Sequence, residues 1–327
     1  MSKILTVTIP SYNVDKYLPT ILPTYLEQSI LDDIEILIVN DGSKDRTAEI
    51  GEKYQEEYPQ TIRVINKENG GHGSTINRGI AEAKGQYFKV IDGDDWVDTD
   101  GFIKLVHFLK NTTVDLVMNP FVKVNIDTGE KTIMTVEGLS NDAVCKFDDV
   151  ALSLLNYYQL HSNTFKTSIL KGMHKIDEHC FYVDQEYIIY PIDKIKTISY
   201  LDYPVYQYRV GNAEQSMSMK NMQKNREMHK KVIMALMDFL TTEKHTDNIY
   251  QLISIKIQKM SQLQIDTYFS MSHSDDIKKE LIQFMNGVKN KNIDIYKKIP
   301  GKKAKCMRIL GSFGYEMIGI LKMGKES

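Results

Sequence analysis

Short apolar runs alternate with segments of helical periodicity along roughly the first 110 residues. The runs that predict strands are residues 5–9, 34–39, 61–65 and 85–91. The segments that predict helices are residues 17–26, residues 47–58, and a stretch that follows the turn at residues 69–74, carries Ile76, Ile80 and Ala83 on one face and ends at Gly85. Pro19 and Pro23 predict an irregular start or a kink in the first of these helices. Strands that alternate with helices predict βαβ units, and therefore a parallel sheet flanked by helices.

The pattern changes in the second half of the chain. Further strands are predicted at residues 115–118, 121–124, 133–134, 198–201 and 205–209. Residues 151–160 have helical spacing, whereas residues 181–190 fit either a helix or a strand. After residue 218, Met, Lys, Gln and Ile recur at helical spacing with few turn residues. We therefore expect an α/β domain over residues 1–218 and a helical region over residues 219–327.

Three acidic residues, Asp92, Asp94 and Asp95, directly follow the fourth predicted strand. A second polar turn, residues 40–43, follows the second strand, so both turns should lie at one edge of the sheet, where open α/β sheets bind ligands. Carboxylates this close repel one another unless a cation joins them, and their oxygens suit Mg²⁺ or Mn²⁺. The alternative is a solvated acidic turn before a helix that Asp98 or Asp100 caps.

Composition narrows the class of protein. A formal net charge of −2 gives no reason to expect nucleic-acid binding. The three cysteines are widely spaced and match no metal-binding pattern, which favours reduced thiols. The apolar stretch at the start is too short for a secretion signal, and the sequence has no uncharged run long enough to span a bilayer. We therefore expect a cytoplasmic protein.

A set of short motifs occurs in a fixed order. The motifs are TIPSYN (8–13), EILIVNDGS (35–43) with Asp45 after it, NGG (69–71), NRGI (77–80), AKG (83–85) and DGDDW (92–96). This ordered set resembles the family 2 glycosyltransferases, whose GT-A fold is a Rossmann-like, mostly parallel sheet flanked by helices. The resemblance is strong over roughly the first 120 residues and weaker over residues 160–218.

The resemblance implies a reaction and a set of site residues. It implies transfer of a sugar from a UDP-sugar, with inversion, to a hydroxyl of a cell-surface polysaccharide or a lipid-linked glycan precursor. By position, Asp41 would hold the uracil ring, Asp92, Asp94 and Asp95 would bind Mn²⁺ or Mg²⁺ at the diphosphate, and Asp184 would be the general base. The other positions that resemble donor-binding residues are Thr8, Pro10, Tyr12, Asn69, Gly70, Gly93 and Arg209, the last together with Ser216 and Ser218.

Several residues allow more than one interpretation. Asn40 and Ile76 depart from the family pattern, which often has Asp and Arg there, and Arg78 is a substitute source of positive charge. Glu186 is the second candidate base, and His72 either contacts phosphate or has no role. Trp96 either packs beneath the site or stacks on a sugar.

Two other functional classes fit parts of the pattern. A nucleotidyltransferase shares an α/β layout and an acidic metal site, but would carry a glycine-rich, basic loop where this chain has residues 10–13. A sugar-nucleotide-binding protein without turnover would keep the donor site alone.

The C-terminal segment, residues 297–321, combines a basic cluster with an apolar helix that contains glycines. This combination suits the surface of an anionic membrane and predicts a peripheral protein on its inner face. The alternatives are a last helix that packs on the protein's own core or a contact with a second copy in a homo-oligomer.

Overall fold

The computed structural model describes residues 3–136, 139–211 and 218–326. The chain divides into two compact units, Met1–Asn212 and Ala213–Ser327. The strands of the first unit are β1 (Leu5–Ser11), β2 (Ile34–Asn40), β3 (Ile62–Asn66), β4 (Tyr87–Val90), β5 (Trp96–Val97), β6 (Leu116–Met118), β7 (Phe121–Asn125), β8 (Lys131–Met134), β9 (Val144–Lys146), β10 (Asn163–Lys166), β11 (Thr197–Tyr200) and β12 (Tyr206–Val210). Its helices are α1 (Leu18–Ile21), α2 (Thr47–Glu57), α3 (His72–Glu82), α4 (Thr99–Lys110), α5 (Phe147–Val150), α6 (Thr167–Leu170) and α7 (Asp184–Ile189).

The main sheet has the strand order β3-β2-β1-β4-β10-β6-β11-β9 within the described residues. β1 pairs in parallel with β2 and with β4, and β2 pairs in parallel with β3, as the βαβ pattern predicted. The carboxyl-terminal ends of these four strands define one edge of the sheet, which we call the carboxyl edge. The two polar turns predicted to share an edge both lie there. The predicted α/β fold is therefore confirmed.

β10 breaks the parallel pattern. It runs antiparallel to both β4 and β6, with Phe165 opposite Phe88 and opposite Leu116. The residues just before β10 therefore lie at the carboxyl edge, next to the end of β4.

A second sheet has the order β5-β12-β7-β8 in the described part of the chain. β12 pairs in parallel with β7 and antiparallel with β5, where Gln207 lies opposite Trp96. Because β5 follows the acidic turn directly, this sheet brings β12 to the same turn.

The core explains why the first strands have so few exposed positions. All residues of β1 and β2 are buried, including Thr6 and Thr8. Thr6 donates from Oγ1 to Glu35 Oε2 at 2.9 Å and accepts the backbone N–H of Gly85. The alternation of threonine with aliphatic residues therefore reflects two covered faces rather than a solvent face.

The structure settles two local predictions. The prolines do interrupt the first helix, which is α1 followed by a 3-10 turn over Leu22–Tyr25. The ambiguous segment around residue 185 contains α7.

The predicted helix over residues 151–160 is wrong. That stretch consists of successive turns with mixed spacing, for example Tyr157 N–H to Leu154 O and Tyr158 N–H to Leu154 O. Ala151, Leu154 and Tyr158 are nevertheless buried at helical spacing, which explains why the pattern misled.

The described part of the second unit is helical, as expected. Its helices are α8 (Met219–Lys224), α9 (Arg226–Thr242), α10 (Asp247–Ser270), α11 (Asp275–Lys291), α12 (Ile293–Lys298), α13 (Lys302–Leu310) and α14 (Ser312–Glu326). Side chains of Ser218, Thr246 and Ser274 accept backbone N–H groups at the starts of α8, α10 and α11, which fixes those boundaries. Among the described helices, none is both long and apolar enough to cross a membrane.

Candidate active site

The acidic turn at the end of β4 is held from β12. The Tyr206 hydroxyl donates to Asp95 Oδ2 at 2.7 Å and accepts the backbone N–H of Asp92 at 3.1 Å. The backbone N–H of Arg209 donates to Asp95 Oδ1 at 2.7 Å. Asp95 is 1% exposed, so its carboxylate holds the turn from the buried side.

The Arg209 side chain completes this attachment. Its Nε donates to the carbonyl oxygen of Asp94 at 2.7 Å. Its guanidinium carbon lies 4.8 Å from the ring centre of Tyr17 and 5.0 Å from that of Trp96, so the cation is held between two aromatic rings. Trp96 therefore packs against Arg209. Of the two serines grouped with Arg209, Ser216 lies outside the described residues and Ser218 caps α8.

The carboxylates of the turn are electrostatically crowded. Burial, together with the neighbouring carboxylates of Asp94 and Asp92, raises the pKa of Asp95 well above its usual range. Burial and the Asp92 carboxylate also raise the pKa of Asp94. A divalent cation would relieve this repulsion, because it compensates several carboxylates at once.

His161 joins this cluster, although no sequence motif includes it. It lies in the 3-10 turn Leu160–Ser162 that precedes β10. Asp92, Asp95 and His161 each offer one ligand atom, and these atoms lie within 4.8 Å of one another. Burial lowers the pKa of His161 to about 4, so the imidazole is neutral and able to bind a metal. His161 Nδ1 is buried and has no hydrogen-bond partner among the described residues. The donor set therefore fits a divalent ion.

His72 contacts the same turn from α3. Its Nε2 lies 2.8 Å from Asp92 Oδ1. Burial by itself lowers the pKa of His72, but the Asp92 carboxylate, with smaller contributions from Asp184 and Asp94, raises it overall. His72 is therefore tied to the acidic turn and is not an isolated loop residue.

Asp41, predicted to hold the uracil ring, is 2% exposed. Its carboxylate accepts the backbone N–H groups of Gly70 at 2.9 Å and Gly71 at 2.8 Å, and Lys67 Nζ lies 2.7 Å from its Oδ1. Asn69 donates from Nδ2 to the backbone oxygen of Asp41. Gly71 has a positive φ of 80°, which lets its N–H turn toward the carboxylate. The contacts shown for Asp41 thus order the loop over residues 67–71.

The other predicted donor-binding residues differ in exposure. Thr8 is fully buried, and a side chain at Gly79 of α3 would overlap it. Pro10 is also buried, and a Cβ at Gly93 would lie 2.7 Å from its carbonyl oxygen, so Gly93 permits the close approach of β1 to the acidic turn. Tyr12 is 51% exposed.

Asp184 is the first residue of α7 and is half-buried. Gln185 Nε2 donates to its Oδ2 at 2.8 Å. Its carboxylate contributes to raising the pKa of His72, which contacts the acidic turn. Glu186, the alternative base, is fully buried and accepts the backbone N–H of Asp177 at 2.8 Å. Asp184 is thus the more accessible of the two acids.

The segment before Asp184 is docked on α3. Asn77 exchanges hydrogen bonds with the backbone of Ile176, donating at 2.8 Å and accepting at 3.1 Å. The backbone N–H of His179 donates to Gly70 O at 2.5 Å. These contacts connect the candidate base to the loop that Asp41 orders.

Comparison with known proteins identifies a family that this chain matches. The family described as "Glycosyl transferase family 2" matches residues 6–178, just over half of the 327 residues. The chain belongs to glycosyltransferase family 2. This membership argues against the nucleotidyltransferase alternative.

Curated proteins match part of this chain. The uncharacterized glycosyltransferase EpsJ of Bacillus subtilis is 38% identical over 127 residues, which cover 39% of this chain and 36% of EpsJ. The minor teichoic acid biosynthesis protein GgaB of Bacillus subtilis is 32% identical over 131 residues, covering 39% of this chain and 15% of GgaB. The match thus spans about a third or less of these relatives' own lengths.

Solved structures extend the fold comparison to nearly the whole chain. Residues 1–349 of S. aureus TarS, in complex with UDP-GlcNAc, superpose with a TM-score of 0.66 at 16% identity, over 98% of this chain and 92% of that one. The mannosyltransferase PcManGT from Pyrobaculum calidifontis, in complex with GDP-Man and Mn²⁺, gives a TM-score of 0.54 at 12% identity, over 99% of this chain and 85% of that one. At these identities the likeness shows the GT-A fold.

Two departures from the family pattern have structural explanations. Asn40 is 5% exposed, donates from Nδ2 to Asn66 Oδ1 at 2.8 Å and accepts the Ser43 N–H at 3.1 Å, so both ends of its amide are used. Ile76 is fully buried in the core. Arg78, the substitute cation, pairs with Glu82 one turn along α3 at 2.7 Å.

Proposed function

We propose that this enzyme transfers a sugar from a UDP-sugar, with inversion and with Mn²⁺ or Mg²⁺, to a hydroxyl of a cell-surface polysaccharide or a lipid-linked glycan precursor. The acidic turn at the carboxyl edge carries the proposal. Two of its carboxylates are destabilised by burial and mutual repulsion, while Tyr206 and Arg209 hold it in place. The donor class is supported by TarS, whose structure was solved in complex with UDP-GlcNAc. The acceptor class is supported by GgaB, a minor teichoic acid biosynthesis protein.

The departing diphosphate is the main source of charge in this reaction. A divalent ion at the turn supplies Lewis-acid stabilisation of that charge. Asp92, Asp94 and Asp95 would hold the ion, with Asp95 kept in position by Tyr206 and the backbone of Arg209. Because these groups are fixed before the donor arrives, little reorganisation is needed during the transfer.

The acceptor hydroxyl must lose a proton as it attacks. Asp184 is half-buried at the start of α7 and acts electrostatically on the same site, so it can accept that proton. Inversion needs one displacement and one base, and Asp184 is the candidate for that base. Glu186 is fully buried, and its Oε2 accepts the backbone N–H of Asp177.

The deciding experiment is a thermal-shift panel of nucleoside diphosphates and nucleotide sugars, with and without Mn²⁺. A ligand at 100 times its Kd stabilises by about 2.7 kcal/mol. We expect UDP and one UDP-sugar to stabilise the enzyme, mainly when Mn²⁺ is present.

Asp94→Asn should abolish the metal-dependent part of this shift. The matched control is Asp100→Asn, which removes an exposed carboxylate from the first turn of α4. An equal, metal-independent shift in the enzyme and both variants would overturn the proposal, as would a shift with GDP and not UDP.

We also propose that the second unit contacts the membrane through the junction of α13 and α14. Ile309 and Phe313 are 69% and 65% exposed there, and Leu310 is 38% exposed. Exposed lysines lie nearby in sequence at positions 297, 298, 302 and 305. Apolar side chains next to lysines suit the headgroup region of an anionic bilayer.

The opposite face of α14 packs within the unit, as one alternative predicted. The Tyr315 ring stacks on that of His273 at 4.3 Å, and Glu316 pairs with Lys278 at 2.6 Å. The basic cluster is also partly used within the protein, because Lys303 pairs with Asp266 at 2.9 Å and Arg308 donates to Ile299 O at 2.7 Å. Only the exposed face of the junction is left for a membrane.

Co-sedimentation with phosphatidylglycerol vesicles tests this contact. Ile309→Ser with Phe313→Ser should reduce binding strongly, whereas Ile293→Ser, which alters an exposed isoleucine of α12, should not. Unchanged binding of the double variant would refute the contact. A dimer in light scattering that the double variant loses would instead assign the surface to a second copy.

A further inference from the structure

We propose that His161 is a ligand of the divalent ion and biases the site toward Mn²⁺ over Mg²⁺. This inference rests on the metal-dependent function proposed above. The ligand atom of His161 lies within 4.8 Å of those of Asp92 and Asp95, and these three residues come from two separate segments of the chain.

Aromatic rings fix the orientation of the imidazole. The ring of Phe121 stacks on it with centres 5.0 Å apart and planes at 29°, and the ring of Tyr208 lies 4.4 Å away at 34°. Tyr206 meets it edge-on at 4.8 Å. Since rings cover the faces of the imidazole, its interactions with polar groups must go through its edge, where the nitrogens are.

An imidazole is an unusual choice for such a position. A phenylalanine would fill the same space between aromatic rings without bringing a polar atom. His161 instead has Nδ1 buried without a hydrogen-bond partner in the described part of the chain. Buried polar atoms are nearly always paired, so this exception, in a ring whose ligand atom lies within 4.8 Å of those of two carboxylates, points to a ligand.

The backbone that carries His161 is also anchored. Lys89, a fully buried residue of β4, donates from Nζ to the carbonyl oxygens of His161 at 3.0 Å and Asn163 at 3.2 Å. β4 therefore positions the acidic turn at its end and, through Lys89, the histidine opposite that turn. Lys89 is a positioning residue in this arrangement.

The chemical consequence is a preference among metals. Mg²⁺ favours oxygen ligands. Mn²⁺, an ion of the first transition row, accepts a nitrogen ligand more readily than Mg²⁺ does. A site with one imidazole should thus bind Mn²⁺ more tightly than Mg²⁺. Removing the nitrogen should lower the ratio of these two affinities.

Pulsed EPR of Mn²⁺ bound to the full chain with UDP tests the ligand directly. A coordinated imidazole gives ¹⁴N modulation of the electron spin echo. We expect that modulation in the enzyme and in His72→Gln, and its loss in His161→Phe. Mn²⁺ affinity, measured by calorimetry with UDP, should fall at least about 10-fold in His161→Phe, with a smaller change for Mg²⁺.

The outcomes separate this inference from the proposed function. If the unmodified enzyme binds UDP without any dependence on Mn²⁺, the proposed function fails. If it binds Mn²⁺ with UDP but shows no ¹⁴N modulation, or if the modulation persists in His161→Phe, the inference about His161 alone is overturned. Loss of the signal only in His72→Gln would assign the nitrogen to His72. An unchanged melting temperature of His161→Phe shows that the variant is folded.

Discussion

Replacing Tyr206 with phenylalanine should loosen the acidic turn at a predictable cost. Tyr206 is fully buried, and its hydroxyl makes a 2.7 Å hydrogen bond to Asp95 Oδ2 and accepts the Asp92 N–H at 3.1 Å. A hydrogen bond between buried groups contributes about 0.5–1.5 kcal/mol, and a buried N–H left without an acceptor costs about 1–3 kcal/mol. Because the turn can relax partly, we expect the free energy of unfolding to fall by about 2–4 kcal/mol.

The assay can be restricted to the first unit. Trp96 is the sole tryptophan of the sequence and lies on β5, which pairs with β12. Its fluorescence during urea unfolding therefore reports on this unit and not on the helical one.

Tyr208→Phe is the matched control, because Tyr208 lies two residues along β12 and its hydroxyl has no hydrogen-bond partner in the described ranges. The control should stay within about 0.5 kcal/mol of the unmodified enzyme. If the two variants unfold at the same urea concentration, the Tyr206 hydroxyl does not stabilise the turn.

Three further outcomes are expected. Asp184→Asn should retain Mn²⁺-dependent UDP binding in calorimetry and lose about 10²–10⁴-fold in transfer rate, and near-normal transfer would move the base elsewhere. Gly73→Ala would place a Cβ on the carbonyl oxygen of Asp177, so it should lower both the melting temperature and transfer, and an unchanged enzyme would show that this segment is not closely docked. Hydrogen bonds from Arg226 lower the pKa of Glu280, so their stabilisation is present above the unfolded pKa and is lost as pH falls through the folded one. Glu280→Gln should therefore cost about 1 kcal/mol at pH 7 in thermal unfolding, and the cost should shrink as the pH falls below the unfolded pKa of about 4.3; a cost that does not change with pH would contradict this assignment.

The sequence predicted the parallel half of the fold well because each of those strands is a short apolar run between turn residues. The same reasoning located the acidic turn and the shared edge. It failed over residues 151–160, where burial of Ala151, Leu154 and Tyr158 mimics a helix although the hydrogen bonds form successive turns. Burial fixes which side chains point inward, and it does not fix how the backbone between them is bonded.

The site was predicted less completely, for a related reason. Asp92, Asp94 and Asp95 lie within four consecutive positions, so the sequence alone predicts that they cluster. His161 reaches them only because β10 runs antiparallel to β4, and no local pattern reveals that pairing. A signal existed in Lys89, since a charged residue inside an apolar strand requires a buried partner, here the carbonyl oxygens of residues 161 and 163.

The direction of β10 also bears on how such enzymes diversify. In a βαβ unit the loop at the carboxyl edge leads out of a strand, and connecting loops of this kind tolerate insertions and exchanges. The segment that approaches β10 enters the sheet at the same edge, and β10 itself is anchored between β4 and β6. Exchange of that approach segment would therefore alter the chemistry opposite the acidic turn, while the strand into which it leads keeps both neighbours.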